Sequence, residues 1–301
     1  MSTVTVSAPR VVRTIAELRK EIGEYRSAAP QGGNVGLVPT MGFLHEGHAS
    51  LIRRSAEENG LTVLSVFVNP LQFGPNEDFD RYPRDEKRDL AVAAEAGADL
   101  VFMPDVKEMY PRPSQTSILI SGVTDRLCGT SRPGHFDGVG VVVSKLFNLV
   151  QPDRAYFGLK DAQQVAVVTR MVQDLNVPVE IVPCPIVRDA DGLALSSRNV
   201  YLSAEEREQA LVLSSTLRLV PEWIREGLTA AELTARMKER IGEMPLADID
   251  YVEALTYPDL LPPDEGVKLL SSGAASLLVA VAVRFGRTRL IDNILLPAAK
   301  G

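Results

Sequence analysis

Apolar positions recur with two periods along this chain, and the change from one to the other marks its elements. Ile15, Leu18 and Ile22 share one face at helical spacing, which predicts a helix from Thr14 to Arg26. Gly36–Val38 and Thr62–Val68 are short apolar runs that read as strands, the second β-branched and buried on both sides. Asp85 to Ala96 reads as a helix, Asp99–Met103 as a strand, and Val139 to Val150 as a buried helix. Arg154–Phe157 and Val179–Val182 read as strands flanking a helix from Asp161 to Asn176. Near-continuous apolar strands separated by helices predict a parallel α/β sheet covered on both faces.

The pattern then changes. Pro178, Pro183 and Pro185 punctuate the chain, and Arg188-Asp189-Ala190-Asp191-Gly192 is a polar turn. Beyond it the spacing predicts helices over about Ala204–Glu226 and Ala230–Glu243, then short strands around Ile249–Thr256, Ala275–Val283 and Arg289–Leu295. This is an α+β module of roughly a hundred residues. A boundary near residue 187 therefore divides the chain into 1–187 and 188–301, without repeats or low-complexity segments.

Composition narrows the class. The 301 residues are 45% hydrophobic and 24% charged, ordinary for a globular protein with a sizeable core. A net charge of −7 argues against a nucleic-acid or anionic-membrane partner, because neither rewards an acidic surface. Met1 to Arg10 lacks the basic start and apolar core of a signal peptide, and the apolar run Leu277 to Val283 is far too short to span a bilayer. Cys128 and Cys184 are too few for a disulfide framework or a thiolate metal site. The expectation is a cytoplasmic protein without a structural metal.

The chemistry concentrates in five segments. Of only three histidines, two lie in Pro39-Thr40-Met41-Gly42-Phe43-Leu44-His45-Glu46-Gly47-His48, between a strand and the helix-like Ala49 to Glu58. A strand, a glycine turn and a helix start form an anion site, since the helix offers unpaired N–H groups and a partial positive charge. The i, i+3 spacing puts both rings on one side, and one imidazole can act as an acid near neutral pH. A zinc-protease site needs ligands four apart, so the His-Glu-Gly-His register does not fit. Second, Asn69-Pro70-Leu71-Gln72-Phe73 follows a strand; Gln72, flanked by Leu71 and Phe73, needs a polar partner, while Asn69 could simply cap a turn. Third, Arg132-Pro133-Gly134-His135-Phe136 opens a helix, where His135 suits a structural loop as readily as a site. Fourth, Gly158-Leu159-Lys160-Asp161-Ala162-Gln163-Gln164 places Lys160 at a helix start, unfavourable for a cation unless an anion binds there. Asp161 suits an N-cap, and Gln164 shares its face with Lys160. Fifth, Leu195-Ser196-Ser197-Arg198-Asn199 combines hydroxyls with a guanidinium as a phosphate clamp.

Taken together, in this order and spacing, these segments resemble the pantoate–β-alanine ligase (pantothenate synthetase) family, from about residue 14 to 295. His45-Glu46-Gly47-His48 is also similar to the His-x-Gly-His signature of the wider nucleotidyltransferase superfamily. The resemblance implies a Rossmann-like N-terminal domain, a smaller C-terminal lid domain and a homodimer. It implies that ATP and pantoate give pantoyl adenylate and pyrophosphate, after which β-alanine displaces AMP to form pantothenate, on the route to coenzyme A. It also implies that Met41, Gly42, Phe43, Leu44, His45, Glu46, Gly47 and His48 line the ATP site, with His48 the proton donor or phosphate ligand. Gly158, Leu159, Lys160, Asp161 and Val187 would hold the nucleotide, and Leu195, Ser196, Ser197 and Arg198 would close over its β- and γ-phosphates. Gln72 and Gln164 would hold pantoate, with Gln72 also facing β-alanine. The catalytic set is then His45, His48, Lys160 and Arg198.

These residue types suit that chemistry independently. An attacking carboxylate paired with Lys or Arg would be blunted, whereas two neutral amides orient it without neutralising it. Cations belong on the phosphates, where charge must be stabilised as pyrophosphate leaves. Mg²⁺ is expected on the phosphate oxygens, mostly through water and substrate, without a protein cage. Leu159 stands where the family usually carries Glu, Ala162 where an aromatic is usual, and Leu195 where Met is common. Two other functions compete with this one: an adenylyltransferase acting on a phosphorylated acceptor, which has no reason to carry Gln72 and Gln164, and a non-catalytic nucleotide-binding protein.

Overall fold

The structure is a computed structural model and describes residues 8–29, 33–75, 77–264, 269 and 275–298. Of the Met1–Arg10 stretch read above, residues 1–7 lie outside that description. The chain forms two compact units: Met1–Ile120, Arg132–Leu159 and Val167–Pro185 make the first, and Ser121–Ser131, Lys160–Ala166 and Ile186–Gly301 make the second.

In chain order the elements up to residue 185 are β1 (Arg10–Val12), α1 (Ile15–Ala28), β2 (Val35–Thr40), α2 (Glu46–Glu58), β3 (Leu61–Val66), α3 (Glu86–Ala96), β4 (Leu100–Phe102), α4 (Val106–Met109), α5 (Cys128–Ser131), α6 (His135–Val150), β5 (Arg154–Gly158), α7 (Ala162–Asp174) and β6 (Glu180–Cys184). The six strands form one parallel sheet in the order β1-β4-β3-β2-β5-β6. From β2 the chain winds outward through β3 and β4, then returns to place β5 on the other side of β2, where Gly36 pairs with Arg154 and Leu37 with Ala155. That reversal makes the carboxyl ends of β2 and β5 the switch point of the sheet, the place where such folds leave a crevice.

The core beneath the sheet takes Val38, Leu64, Val101, Tyr156 and Val182 from five neighbouring strands and closes them with Ile52 of α2 and Ala93 and Ala96 of α3. Strand β1 escapes the periodicity, because three residues carry too little of it to announce a strand. Helix α6 begins at His135, earlier than the Val139 expected, since Gly138 and Gly140 break the apolar stripe without breaking the helix.

Beyond residue 186 come α8 (Ala204–Arg225), α9 (Ala230–Gly242), β7 (Ala247–Tyr257), β8 (Ser276–Phe285) and β9 (Thr288–Leu296). Ser203 with Glu206, and Thr229 with Glu232, form reciprocal capping boxes that start the two helices. The strands make an antiparallel sheet with β8 in the middle, and Val279, Val281, Val283 and Phe285 pack with Leu213, Leu217, Trp223 and Met237 of the helices. This is the α+β arrangement that the pattern predicts.

Candidate active site

The first histidine pair stands just past the carboxyl end of β2. His45 is the N-cap of α2, and its Nδ1 accepts the Gly47 N–H at 3.1 Å. His48 reaches back, its Nδ1 accepting the His45 N–H at 3.3 Å, and the ring centroids lie 4.0 Å apart. Because each Nδ1 accepts, the hydrogen of each neutral ring sits on Nε2. The N–H of Gly42 goes to Thr40 Oγ1 at 3.3 Å, and those of His48 and Ala49 go to the His45 carbonyl. Most of the backbone donors expected to be unpaired at this helix start therefore have partners within the turn. The imidazoles themselves accept two of these N–H groups, those of His45 and Gly47, and each ring keeps its hydrogen on Nε2.

Asp89 of α3 shapes the same turn. Its buried carboxylate accepts the Leu44 N–H at 2.6 Å and the Phe43 N–H at 3.0 Å. Burial raises the Asp89 carboxyl above its ordinary range, and the two N–H groups oppose that shift without cancelling it. Gly42 has φ 82°, and a Cβ there would lie 2.9 Å from Asp89 Oδ2. Phe43 takes φ 50°, unusual for a bulky side chain, and its ring lies 4.6 Å from the Arg88 guanidinium.

Gln72 closes a 3-10 turn, Pro70–Gln72, after β3. Asn69 caps that turn through the Leu71 N–H and donates to Gln72 Oε1 at 3.2 Å and to the Gly138 carbonyl at 3.1 Å. Tyr110 donates to Asn69 Oδ1 at 2.9 Å, and burial pushes its phenol up to about 12. Gln72 Nε2 lies 3.0 Å from Met41 Sδ, so the structure brings these two expected site residues together. The Gln72 carbonyl is gripped from the third segment: His135 Nδ1 lies 2.8 Å away and Arg132 Nη2 3.2 Å. Arg132 also donates to His135 Nε2 at 3.1 Å, so that ring carries its hydrogen on Nδ1. Glu77 takes Arg132 in two bonds of 2.6 Å. Burial would raise the Glu77 carboxyl, but the Arg132 guanidinium outweighs it and holds the group below the ordinary range.

In the second unit Lys160 lies in a 3-10 turn, Leu159–Asp161, that leads into α7. Its Nζ is 3.4 Å from Asp161 Oδ2, so a neighbouring carboxylate stands beside it although position 159 is Leu. Of the two adjacent glutamines, Gln163 is buried and donates to the carbonyls of Val123 and Arg126 at 2.9 and 2.8 Å; Gln164 is half-buried. Val187 and Leu195 meet through the Leu195 N–H and the Val187 carbonyl at 3.0 Å, closing a hairpin around the polar turn. Ser196 caps the 3-10 turn Ser197–Tyr201 by accepting the Arg198 N–H at 3.2 Å, which gives this segment a regular backbone.

Comparison with known proteins adds to this geometry. The model of the pantoate-beta-alanine ligase family matches residues 10–295. The chain belongs to the pantoate–β-alanine ligase family. The pantothenate synthetase of Geobacillus thermodenitrificans is 53% identical over 291 residues, covering 96% of this chain and 97% of that one. A crystal structure of pantothenate synthetase from Thermus thermophilus is 50% identical, with a TM-score of 0.85 over 95% of this chain and 98% of that one. The pantoate-beta-alanine ligase of Francisella tularensis, crystallised with β,γ-ATP and β-alanine, is 31% identical, with a TM-score of 0.74 over 96% and 98%.

Several residues that organise this pantoate–β-alanine ligase were not singled out from the sequence. Asp89 in the first turn of a helix reads as an ordinary dipole partner, so nothing local flags it. Glu77 and Tyr110 act across long separations. The Asp292-Asn293 pair does carry a signal, because two buried polar residues inside the apolar strand Leu290–Leu296 need partners.

Proposed function

We propose that this protein condenses pantoate with β-alanine at the expense of ATP, through a pantoyl adenylate, and so contributes to pantothenate and coenzyme A formation. The observation that carries this reading is the location of the His45–His48 turn at the carboxyl end of β2, where the sheet order reverses beside β5. In the first step a carboxylate oxygen of pantoate bonds to the α-phosphorus and the bond to pyrophosphate breaks. In the second the β-alanine amine bonds to the acyl carbon, AMP leaves, and the amine sheds a proton.

Each residue has a part in this proposal. Gln72 and Gln164 orient pantoate through uncharged amides, leaving its carboxylate nucleophilic. His48, with hydrogen on Nε2, donates to a phosphate oxygen, and His45 assists from the adjoining ring. Lys160 and Ser196–Arg198 take the charge that grows on departing pyrophosphate. Mg²⁺ would ride on the phosphates with water completing its shell; among the described residues no group of three or more His, Cys, Asp or Glu side chains is arranged to hold a metal. It neutralises phosphate charge when bound.

The assignment of residues 1–187 as the Rossmann-like nucleotide domain and 188–301 as the lid belongs to the same proposal, as do a homodimer and a cytoplasmic location. No helix among the described residues is long and apolar enough to cross a membrane. The test measures AMP and pyrophosphate with each substrate omitted in turn. Exchange of pyrophosphate into ATP should need pantoate alone, and AMP release should need both pantoate and β-alanine. ADP as the product would overturn the reading.

A further inference from the structure

Asp292 and Asn293 are 3% and 4% exposed in the middle of β9, inside an otherwise apolar run. Successive strand residues face opposite sides, so neighbours in sequence can reach different segments. Asp292 takes the Arg188 guanidinium in two bonds, 2.6 and 2.9 Å. Arg188 also donates to the Gly192 carbonyl at 3.2 Å, bracing the turn whose flanks are Val187 and Leu195. Asn293 donates through Nδ2 to the Lys160 carbonyl at 3.0 Å, and its own N–H donates to Asp292 Oδ1 at 2.8 Å. Two adjacent strand positions thus grip both segments of this unit to which the ATP phosphates are assigned.

A buried ion pair is weak evidence for stability, because desolvation offsets most of its attraction; fixing a register is its better-attested use. We propose that Asp292 and Asn293 are positioning residues that hold Lys160 and the Val187–Leu195 hairpin at a set separation, so that Lys160 and the Ser196–Arg198 segment next to the hairpin, tied to it by the Asn199 side-chain amide donating to the Ala194 carbonyl at 3.0 Å, both reach the phosphates of one ATP. This rests on the reading that Lys160 binds those phosphates. Asn293 acts through the main chain of Lys160, and Asp292 acts through Arg188.

A double-mutant cycle separates this from simple structural support. Full-length Asn293→Ala, Lys160→Ala and the double variant are assayed by pantoate-dependent exchange of pyrophosphate into ATP. Asn293→Ala should lower kcat/KM for ATP by roughly 10–100-fold, the usual cost of a small misplacement of a reacting group. The KM for pantoate should change little. In the Lys160→Ala background the same substitution should have almost no further effect, since residues acting as one unit are not additive. Independent multiplication of the two effects, or an Asn293→Ala enzyme with normal ATP kinetics, overturns the proposal. Lys160→Ala with normal exchange overturns instead the phosphate role of Lys160. If Asn293→Ala does not fold, Asn293→Asp serves in the same cycle, being isosteric yet unable to donate to the Lys160 carbonyl when ionised.

Discussion

His48 accepts the backbone N–H of His45 at its Nδ1, 3.3 Å away, so the second histidine of the pair completes the cap that the first one begins. The proposed acid is therefore also a structural residue, and its two parts can be pulled apart. His48→Gln keeps an acceptor able to reach the N-cap N–H, as a glutamine at this position of a capping box does. It should leave stability within about 0.5 kcal/mol while turnover falls roughly 10²–10⁴-fold. His48→Ala should lose turnover similarly and also about 1 kcal/mol of stability. Denaturant unfolding beside steady-state kinetics checks both; normal turnover in His48→Gln would refute the acid role.

Asp89 secures two N–H groups of the turn from another helix. Asp89→Ala should orphan the Phe43 and Leu44 N–H groups at roughly 1–3 kcal/mol each. It should also release the strained Phe43 backbone, so that turnover falls with stability. Asp89→Asn retains one acceptor and should lose about half as much. Chemical unfolding of the two variants gives the comparison, and equal stability of Asp89→Ala and the parent chain would contradict it.

Gly138 touches the Gln72 turn directly. A Cβ there would lie 2.2 Å from the Leu71 carbonyl oxygen and 2.7 Å from the Gln72 nitrogen, both backbone atoms that cannot rotate away. Gly138→Ala should push the Pro70–Gln72 turn outward, raise the KM for pantoate at least tenfold and cost about 1–3 kcal/mol. The KM for ATP should move much less. An unchanged pantoate KM would show that the turn accommodates the methyl.

Gln163 and Gln164 are neighbours with opposite expectations. Gln163→Ala orphans the carbonyls of Val123 and Arg126 and should destabilise by roughly 1–3 kcal/mol, with pantoate KM near normal in the folded fraction. Gln164→Ala should raise the pantoate requirement with little loss of stability. Melting temperature and pantoate titration distinguish them, and an effect of Gln164→Ala confined to ATP would contradict its placement.

Glu77 ties stability to pH. Its carboxyl is held below the ordinary range when folded, so it stabilises the protein while ionised and loses that contribution as pH falls through the lowered folded value. Glu77→Gln should therefore be less stable than the parent near neutral pH and converge with it in acid. Unfolding free energies across that range test the sign; a gap that widens in acid would reverse it.

The segments of the proposed site stand out in the sequence, because their residue types conflict with a bland structural part. Lys160 at a helix start and Gln72 between Leu71 and Phe73 are such conflicts, and the structure gives each a specific setting. The role of His135 stays open in sequence. The structure resolves it: that imidazole holds the Gln72 carbonyl, with Arg132 beside it and Glu77 behind. Element edges are less legible, as the early start of α6 shows, because tertiary packing extends a helix past the point where its apolar stripe fades.

The sequence by itself determined the alternation of strands and helices in the first part of the chain, the α+β character of the last part, and which short segments hold polar residues out of keeping with their surroundings. Those follow from periodicity and residue type, which are local. Only the tertiary structure decided the partners: Asp89 for the Phe43 and Leu44 N–H groups, Arg132 for the Gln72 carbonyl, Asn293 for Lys160 and Asp292 for Arg188. Each joins residues far apart in the chain. A buried polar group must find a partner, but which one it finds depends on what packing brings within about 3 Å of it.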